Sequence, residues 1–487
     1  MISSEMLAGL ALDGASPIPF YRQIYGRIAG AVLDGRLAPG ARLPSARTLS
    51  AQLSIARGTV ETAYQLLAGE GYIVSRGAAG TLVDPALDRR LLKSGSAVRS
   101  SRATVAPAAA SMSVGPPALF RMGLPALDAF PHKIWSRLCA RQARSLSPVD
   151  LAYQSPAGHE SLRTEVARYL AVARGVTCAP EQVFITGGFQ GALGLIMRCL
   201  LQPGDTAWVE DPGYDNARNA LRLAGARLVG VPVDGDGLDV AWAAAKAPPA
   251  RMAVVTPTHQ APLTVTLSLP RRMALLAWAA AAQAWIVEDD YDSEYRYLGK
   301  PLPALKSLDR HDRVLFVGSF SKVLSPGLRV GYLVVPPGLV DRFTAIADLM
   351  QPPPAALVQA TIAAFLEQGY FGRHIRRMRQ LYAERRTALV AALHDEVRPT
   401  LGIELQPGGM HLVARLPRGT DDVGLVAELV RQGIGPSALS AWGVAAPYAP
   451  GLLISFTNVD VKKAPQAARR LAEALHSAQA GRRRPRE

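Results

Sequence analysis

Across residues 19–33 the apolar side chains Tyr21, Ile24, Tyr25, Ile28 and Val32 recur at helical spacing and Gly35 closes the run, which predicts one amphipathic helix. After the turn LAPGARLPS, Ser45 stands at the N-cap position of an expected helix over 46–53, and residues 54–56 turn the chain into a second helix over 57–67. Two short helices joined this tightly form a helix-turn-helix, whose second helix presents its first residues to base edges in the major groove. Those residues are Arg57, Gly58 and Thr59. Residues 71–83 read as two short strands around a glycine turn, a wing that brings Arg76 to phosphates or the minor groove, and Arg47 is the other expected DNA contact. Pattern alone leaves open a small docking module whose arginines are merely solvated.

From residue 84 to 115 small, polar and proline residues replace any apolar period, which reads as a flexible linker between a domain over 1–83 and one over 116–478. In that larger segment short apolar runs alternate with long amphipathic ones, the pattern of an α/β domain. Strands are expected over 182–186, 206–210, 252–256, 284–288 and 313–318. Ligands of open α/β sheets collect beyond the carboxyl ends of the strands, so the residues just after each run are the ones to inspect. Residues 479–487 form a basic tail with no apolar period, expected to be disordered.

The 487 residues are 49% hydrophobic, enough for two or three domains. A formal charge of +15 suits a polyanionic partner such as nucleic acid, although part of it lies in the tail. The chain lacks both a long uninterrupted apolar run and a basic leader with an apolar core, so a cytoplasmic protein with no membrane partner is expected. Cys139, Cys178 and Cys199 have unrelated spacings that fit neither a disulfide framework nor a zinc site. No metal is expected: His259 has no second ligand at metal spacing, and the acids of 288–294 lack the glycine and terminal glutamate of a calcium loop.

The strand ends carry the chemistry. Gly187, Gly188 and Phe189 open a helix whose free N–H groups suit a phosphate, although a glycine pair is by itself only a tight turn. Tyr214, in the segment EDPGY, offers an aromatic face, unless it is simply a core tyrosine. Five acids crowd into residues 288–294 and would repel one another unless some meet a cation. After the fifth run stand Ser319, Ser321, Lys322 and Arg329. A desolvated lysine loses proton affinity and forms a Schiff base with a carbonyl. An arginine and two serines hold a phosphate. An aldehyde-capturing lysine, an acid for a pyridinium nitrogen, an aromatic face and phosphate ligands are together the demands of pyridoxal 5′-phosphate.

The order YxQI, GxLxPGxxLPSxRxL, RxTVxxAYxxLxxEG and GTxV over residues 19–83 resembles the winged helix-turn-helix domain of the GntR family of bacterial regulators. One departure is Ala56, where that family usually carries a serine. The segments YQSPAG, ITGGFQ, PGD, EDPGY, DDY and SFSK with a following RVG, spread over most of 116–478, resemble a fold-type I aminotransferase of classes I and II. That likeness implies that Lys322 would carry the cofactor as a Schiff base, Asp289 would pair with the pyridine nitrogen, Tyr291 would bond the phenolic oxygen and Tyr214 would stack on the ring. It also implies a phosphate held by Gly188, Phe189, Ser319, Ser321 and Arg329, and Tyr153 reaching over from the other subunit of a dimer.

A GntR-like head, a long linker and an aminotransferase-like body resemble the MocR/GabR regulators. The resemblance implies a homodimer paired head to tail that binds a double-stranded DNA operator and senses an amine or pyridoxal phosphate itself. Two departures bear on catalysis. The segment GLLISFTN has no arginine for a substrate carboxylate, and Thr264 stands where a glycine is common. The expected function is therefore a PLP-dependent transcriptional regulator, the alternative being an active aminotransferase with an accessory DNA-binding domain.

Overall fold

The computed structural model describes residues 12–77, 80–87, 118–299, 302–350, 352–397, 401–444 and 447–482. The chain divides into two units, Met1–Val114 and Gly115–Glu487. Most of the linker expected over 84–115 lies outside the described residues.

The head contains α1 (Phe20–Leu33), α2 (Ala46–Leu53) and α3 (Arg57–Gly69), followed by the antiparallel pair β1 (Ile73–Ser75) and β2 (Thr81–Val83). Ile24, Ile28 and Val32 of α1 meet Leu49, Val60, Leu67, Ile73 and Val83 in one buried cluster, so the helical period becomes the core face. Ser45 caps α2 as expected: its hydroxyl accepts the Thr48 N–H at 3.1 Å. Ser54, at φ +53°, turns the chain left-handed after α2 and lets α3 begin three residues later. Ala56 caps α3 in an extended conformation, φ −63° and ψ 138°, with no side-chain acceptor. The backbone is thus already set for a capping hydroxyl. Ala56→Ser is expected to stabilise the head by about 1 kcal/mol, read from the denaturant midpoint of its unfolding; an unchanged midpoint would count against a missing cap.

The body is a doubly covered mixed sheet with a smaller C-terminal lobe. Its eight strands are β3 (Val183–Thr186), β4 (Thr206–Asp211), β5 (Arg227–Asp234), β6 (Gly237–Leu238), β7 (Met252–Val255), β8 (Trp285–Asp290), β9 (Val314–Ser319) and β10 (Gly331–Val334). They lie in the order β3-β10-β9-β8-β7-β4-β5-β6. The central strands from β9 to β5 are parallel, and β10 runs antiparallel to both of its neighbours. All five expected runs are strands, and they read as unbroken apolar stretches because helices cover both faces.

The expected ends of β4, β8 and β9 are corrected outward by one or two residues. Parallel pairing continues through Asp211 with Pro232, Asp289 with Val317 and Asp290 with Gly318, so Asp211, Asp289 and Ser319 belong to strands and not to the turns after them. A second sheet, β11 (Gly402–Glu404), β12 (His411–Arg415), β13 (Ser437–Ala438) and β14 (Gly451–Ser455), forms the lobe in the order β11-β12-β14-β13.

The body helices used below are α4 (His132–Arg144), α5 (Glu160–Arg174), α6 (Phe189–Leu200), α7 (Asp215–Leu223), α8 (Tyr370–Val397) and α9 (Ala464–Arg482). The last of these continues past residue 478, and residues 483–487 lie outside the described ones. Among the described residues no helix is long and apolar enough to cross a membrane.

Candidate cofactor site

The five acids at the end of β8 and in the turn beyond it are a problem in electrostatics, because like charges at a strand end raise one another's energy. Four of them find partners of their own. Glu288 accepts the backbone N–H groups of Leu305 and Lys306, each at 2.8 Å. Asp290 takes a two-pronged grip from Arg174 at 2.8 and 3.0 Å, Asp292 meets His259 Nδ1 at 2.9 Å, and Glu294 accepts the Tyr169 hydroxyl at 2.7 Å. Asp289 alone of the five has no hydrogen-bond partner among the described residues. Burial, reinforced by Asp290, pushes its pKa well above the usual carboxylate range, while Lys322 pulls the other way. A cation placed against it would relieve that cost.

Asp289 lines a cleft together with Phe189, Glu210, Tyr214 and Thr256. Tyr214 precedes α7, with its ring 5.9 Å from that of Phe189 and 6.1 Å from that of Trp442. Arg218, one helical turn on, donates to the carbonyls of Trp442 at 2.8 Å and Gly443 at 2.6 Å, which ties this turn to the C-terminal lobe. Glu210 accepts Thr256 N–H at 3.1 Å and its hydroxyl at 2.6 Å, and burial lifts its pKa to about 7.

Lys322 follows β9. Its Nζ donates to the Gly123 carbonyl at 2.7 Å, and a Cβ at residue 123 would stand 2.9 Å from that nitrogen. Desolvation lowers its pKa, and the carboxylates of Asp292 and Asp289 partly restore it. The Tyr291 hydroxyl is buried with no partner, so it is free to donate to an acceptor brought into the site.

The phosphate side is built from three turns. Gly188, at φ +80°, caps α6 without a side-chain bond and leaves the first N–H groups of a twelve-residue helix open. Gly331 presses on it so closely that a Cβ there would come within 2.9 Å of the Gly188 Cα, which holds this turn against the end of β9. Ser319 accepts the Ser321 N–H at 3.1 Å, and Arg329 reaches the Gly187 carbonyl at 3.4 Å from a left-handed backbone at φ +53°. Tyr153 is fully exposed, so nothing in this chain covers its ring.

These donors, the unpartnered Asp289 and Tyr291, the aromatic wall and the desolvated amine match the demands of a phosphorylated pyridine aldehyde. The Tyr291 hydroxyl also gives a test of fit. Tyr291→Phe is expected to weaken pyridoxal phosphate binding about five- to tenfold, while leaving the stability of the cofactor-free protein unchanged or slightly higher. A loss of stability without cofactor would mean that the hydroxyl has a partner inside the fold.

Sequence reasoning missed two pairings in the site. The Arg174–Asp290 and His259–Asp292 pairs join residues 116 and 33 positions apart, so no local pattern announces them. Thr264 sits at φ +58°, the left-handed region, which is the physical reason a glycine suits that turn. Leu453, in the stretch that lacks an arginine, is buried among Leu263, Val413 and Leu439. In the head, Arg47, Arg57, Gly58 and Arg76 are exposed and Thr59 is half-buried. Arg57 also pairs with Glu61 at 2.7 Å along α3, a restraint the sequence reading did not foresee.

Residues 136–471 match the family model of aminotransferases of class I and II, and residues 20–83 match that of bacterial regulatory proteins of the gntR family. The chain is 38% identical to a probable rhizopine catabolism regulatory protein MocR of Rhizobium meliloti, over 93% of both chains. This chain belongs to the MocR-type regulators of the GntR family. Another relative, the pyridoxine biosynthesis transcriptional regulator PdxR of Corynebacterium glutamicum, is 35% identical over 90% of this chain and 92% of its own. Among solved structures the body is similar to the α-aminoadipate aminotransferase LysN of Thermus thermophilus, complexed with N-(5′-phosphopyridoxyl)-L-leucine. That match has a TM-score of 0.69 and 30% identity over 75% of this chain and 93% of the other. The MocR-type chain described here thus joins a GntR-family DNA-binding head to an α/β fold-type I aminotransferase body, as its motifs implied.

Proposed function

We propose that this MocR-type regulator binds pyridoxal 5′-phosphate in the body through Lys322, and that an amine, or pyridoxal phosphate itself, sets the affinity of the head for a double-stranded operator. The single observation that carries the reading is Asp289, the one acid of its cluster left without a hydrogen-bond partner, on the wall of an aromatic cleft. In this role Asp289 pairs with the ring nitrogen, Tyr291 donates to the phenolic oxygen and Tyr214 stacks on the ring. Gly188, Phe189, Ser319, Ser321 and Arg329 hold the phosphate. When bound, the cofactor would supply an aldehyde carbon able to condense with a primary amine, with loss of water, whether that of Lys322 or that of an incoming ligand. Lys322, whose proton affinity burial lowers, supplies the free amine, and Gly123 O fixes where its nitrogen points.

In the head, Arg57, Gly58 and Thr59 meet base edges, while Arg47 and Arg76 meet phosphates. The chain acts as a homodimer paired head to tail in the cytoplasm, with Tyr153 completing the partner's site; its ring, open to solvent here, supports that role. Coupling is a shift in population: a ligand that displaces Lys322 favours one of two arrangements of the body, and operator affinity follows. Steady transamination of an α-amino acid is disfavoured, because apolar Leu453 occupies the stretch from which a carboxylate-binding arginine would come.

The deciding experiment titrates the purified protein with a panel of amines while recording both the cofactor absorbance and the affinity for upstream DNA of its own gene. At least one amine is expected to change both together. Amines that change the absorbance and leave DNA affinity untouched would overturn the sensing mechanism.

A further inference from the structure

His259 lies in the loop after β7 and Asp292 in the turn after β8, and the two side chains are each 1% exposed. His259 Nδ1 donates to Asp292 Oδ1 at 2.9 Å. The other oxygen of Asp292 is buried with no partner, and so is the Nε2 of His259. A carboxylate oxygen kept dry and unbonded costs free energy, which a donor brought to it would recover. The His259 ring is wedged in place, because a Cβ on Gly408, just before β12, would overlap its Nε2. Held by that ring, Asp292 has one oxygen engaged and the direction of the other fixed.

Lys322 is the donor that fits. The turn carrying Asp292 packs along the Lys322 segment: the Asp292 carbonyl accepts the Tyr295 N–H at 2.9 Å, and the Tyr295 hydroxyl donates to the Lys322 carbonyl at 3.2 Å. Of the charges acting on Lys322, Asp292 is the strongest and Asp289 the next. Lys322 Nζ donates to Gly123 O at 2.7 Å, a neutral acceptor that takes one of the three N–H bonds of an ammonium. The neighbouring acids are engaged elsewhere. Arg174 holds both oxygens of Asp290, Thr256 and Gln260 hold those of Glu210, and Asp289 is assigned to the ring nitrogen. His411, the other histidine in this field, donates its Nε2–H to the Pro262 carbonyl at 2.8 Å.

We propose that Asp292, aimed by His259, is the counter-ion that receives the Lys322 ammonium when an incoming primary amine takes the place of Lys322 on the cofactor. The inference rests on the binding of pyridoxal phosphate through Lys322 proposed above. The exchange balances without a further reactant: the bond from the cofactor carbon to the Lys322 nitrogen breaks as the bond to the ligand nitrogen forms. Every proton that the ligand ammonium loses ends on the Lys322 nitrogen, so neither charge nor water changes in sum. The positive charge thus moves to a buried nitrogen, where an unpartnered carboxylate oxygen lowers its energy. Asp292 therefore favours the amine-bound state and sets how much amine is needed to reach it. It also favours the free ammonium of the cofactor-free protein, so it opposes capture of the cofactor.

The test uses the full-length protein loaded with pyridoxal phosphate, and methylamine as the probe, an amine with no other group for the site to recognise. Exchange is read as the methylamine concentration at which half of the borohydride-reducible adduct at Lys322 is lost, measured by mass spectrometry. Cofactor affinity is read from absorbance during titration with pyridoxal phosphate. Asp292→Asn, nearly equal in volume, is expected to need about ten- to a hundredfold more methylamine, while binding pyridoxal phosphate as tightly as the parent or more tightly. His259→Phe should raise the methylamine requirement by a smaller factor, and His259→Asn, whose amide can donate from near the same place, should restore the parent value. A residue that only supports the fold would weaken cofactor binding and exchange together. That result, or an Asp292→Asn protein that exchanges like the parent, would overturn the proposal, and His259→Phe equal to the parent would overturn the part given to His259. A parent without a reducible adduct at Lys322 would overturn the reading of the site and the proposal with it, whereas an intact adduct with unchanged exchange in Asp292→Asn defeats the proposal alone.

Discussion

Lys322→Ala is expected to yield a protein that retains no cofactor after borohydride treatment and dialysis, whereas the parent keeps a reduced adduct at that residue. The effect is all or none, because no other lysine emerges from the carboxyl end of β9 beside Asp289. Non-covalent binding should persist at reduced affinity, since the phosphate turns and Asp289 remain. If the alanine variant still carried a reducible adduct, the amine would be elsewhere and the assignment of the site would fall.

The same nitrogen gives a pH dependence. Burial lowers the Lys322 pKa, so the free amine is present at lower pH than for an exposed lysine. Capture of added pyridoxal phosphate by the cofactor-free protein should therefore quicken as pH rises through that lowered pKa and then level off. Asp292 and Asp289 oppose the lowering, so Asp292→Asn removes one carboxylate and should move the profile to lower pH. A shift to higher pH would contradict the sign of the field at Lys322.

Arg174→Met is expected to destabilise the body by about 3–5 kcal/mol, the largest stability effect among the substitutions considered. Arg174 and Asp290 are almost wholly buried, and the guanidinium also donates to the Leu302 carbonyl at 2.6 Å and the Thr258 hydroxyl at 2.9 Å. Burial works to lower the Arg174 pKa, but Asp290, Glu288 and Glu294 outweigh it and raise it, so the charge is firmly held. Removing the cation leaves Asp290 unpaired one residue from Asp289. A double variant, Arg174→Met with Asp290→Leu, should recover much of the loss, since a buried ion pair and an apolar pair of similar volume are close in stability. The denaturant midpoint of the body measures both; a single variant within about 0.5 kcal/mol of the parent would mean that water reaches the pair.

The head was legible because its signals are local. Ser45 caps the helix it precedes, the apolar period of residues 19–33 is the buried face of α1, and both paired helices begin at the expected residues. In the body, each strand expected from an unbroken apolar run exists, since a parallel strand covered on both faces must be apolar throughout. Strands β5, β6 and β10 and the small C-terminal sheet went unassigned. Residues 227–234 mix exposed and buried positions with a proline, and the four strands of the lobe are two to five residues long, too short for any period to register.

What the sequence by itself determined is the set of chemical groups and the order in which strand ends present them: a lysine, an acid, a tyrosine and phosphate donors, each set by its own short segment. Only the tertiary structure decided how four of the five crowded acids are occupied, which leaves Asp289, the one the family likeness implied, without a partner. That pairing depends on Arg174, His259, Tyr169 and the backbone at Leu305 and Lys306, groups brought in from distant parts of the chain. The physical reason is that a buried charge is defined by its partners, and partners far apart in sequence meet only when the sheet and its helices have closed around them.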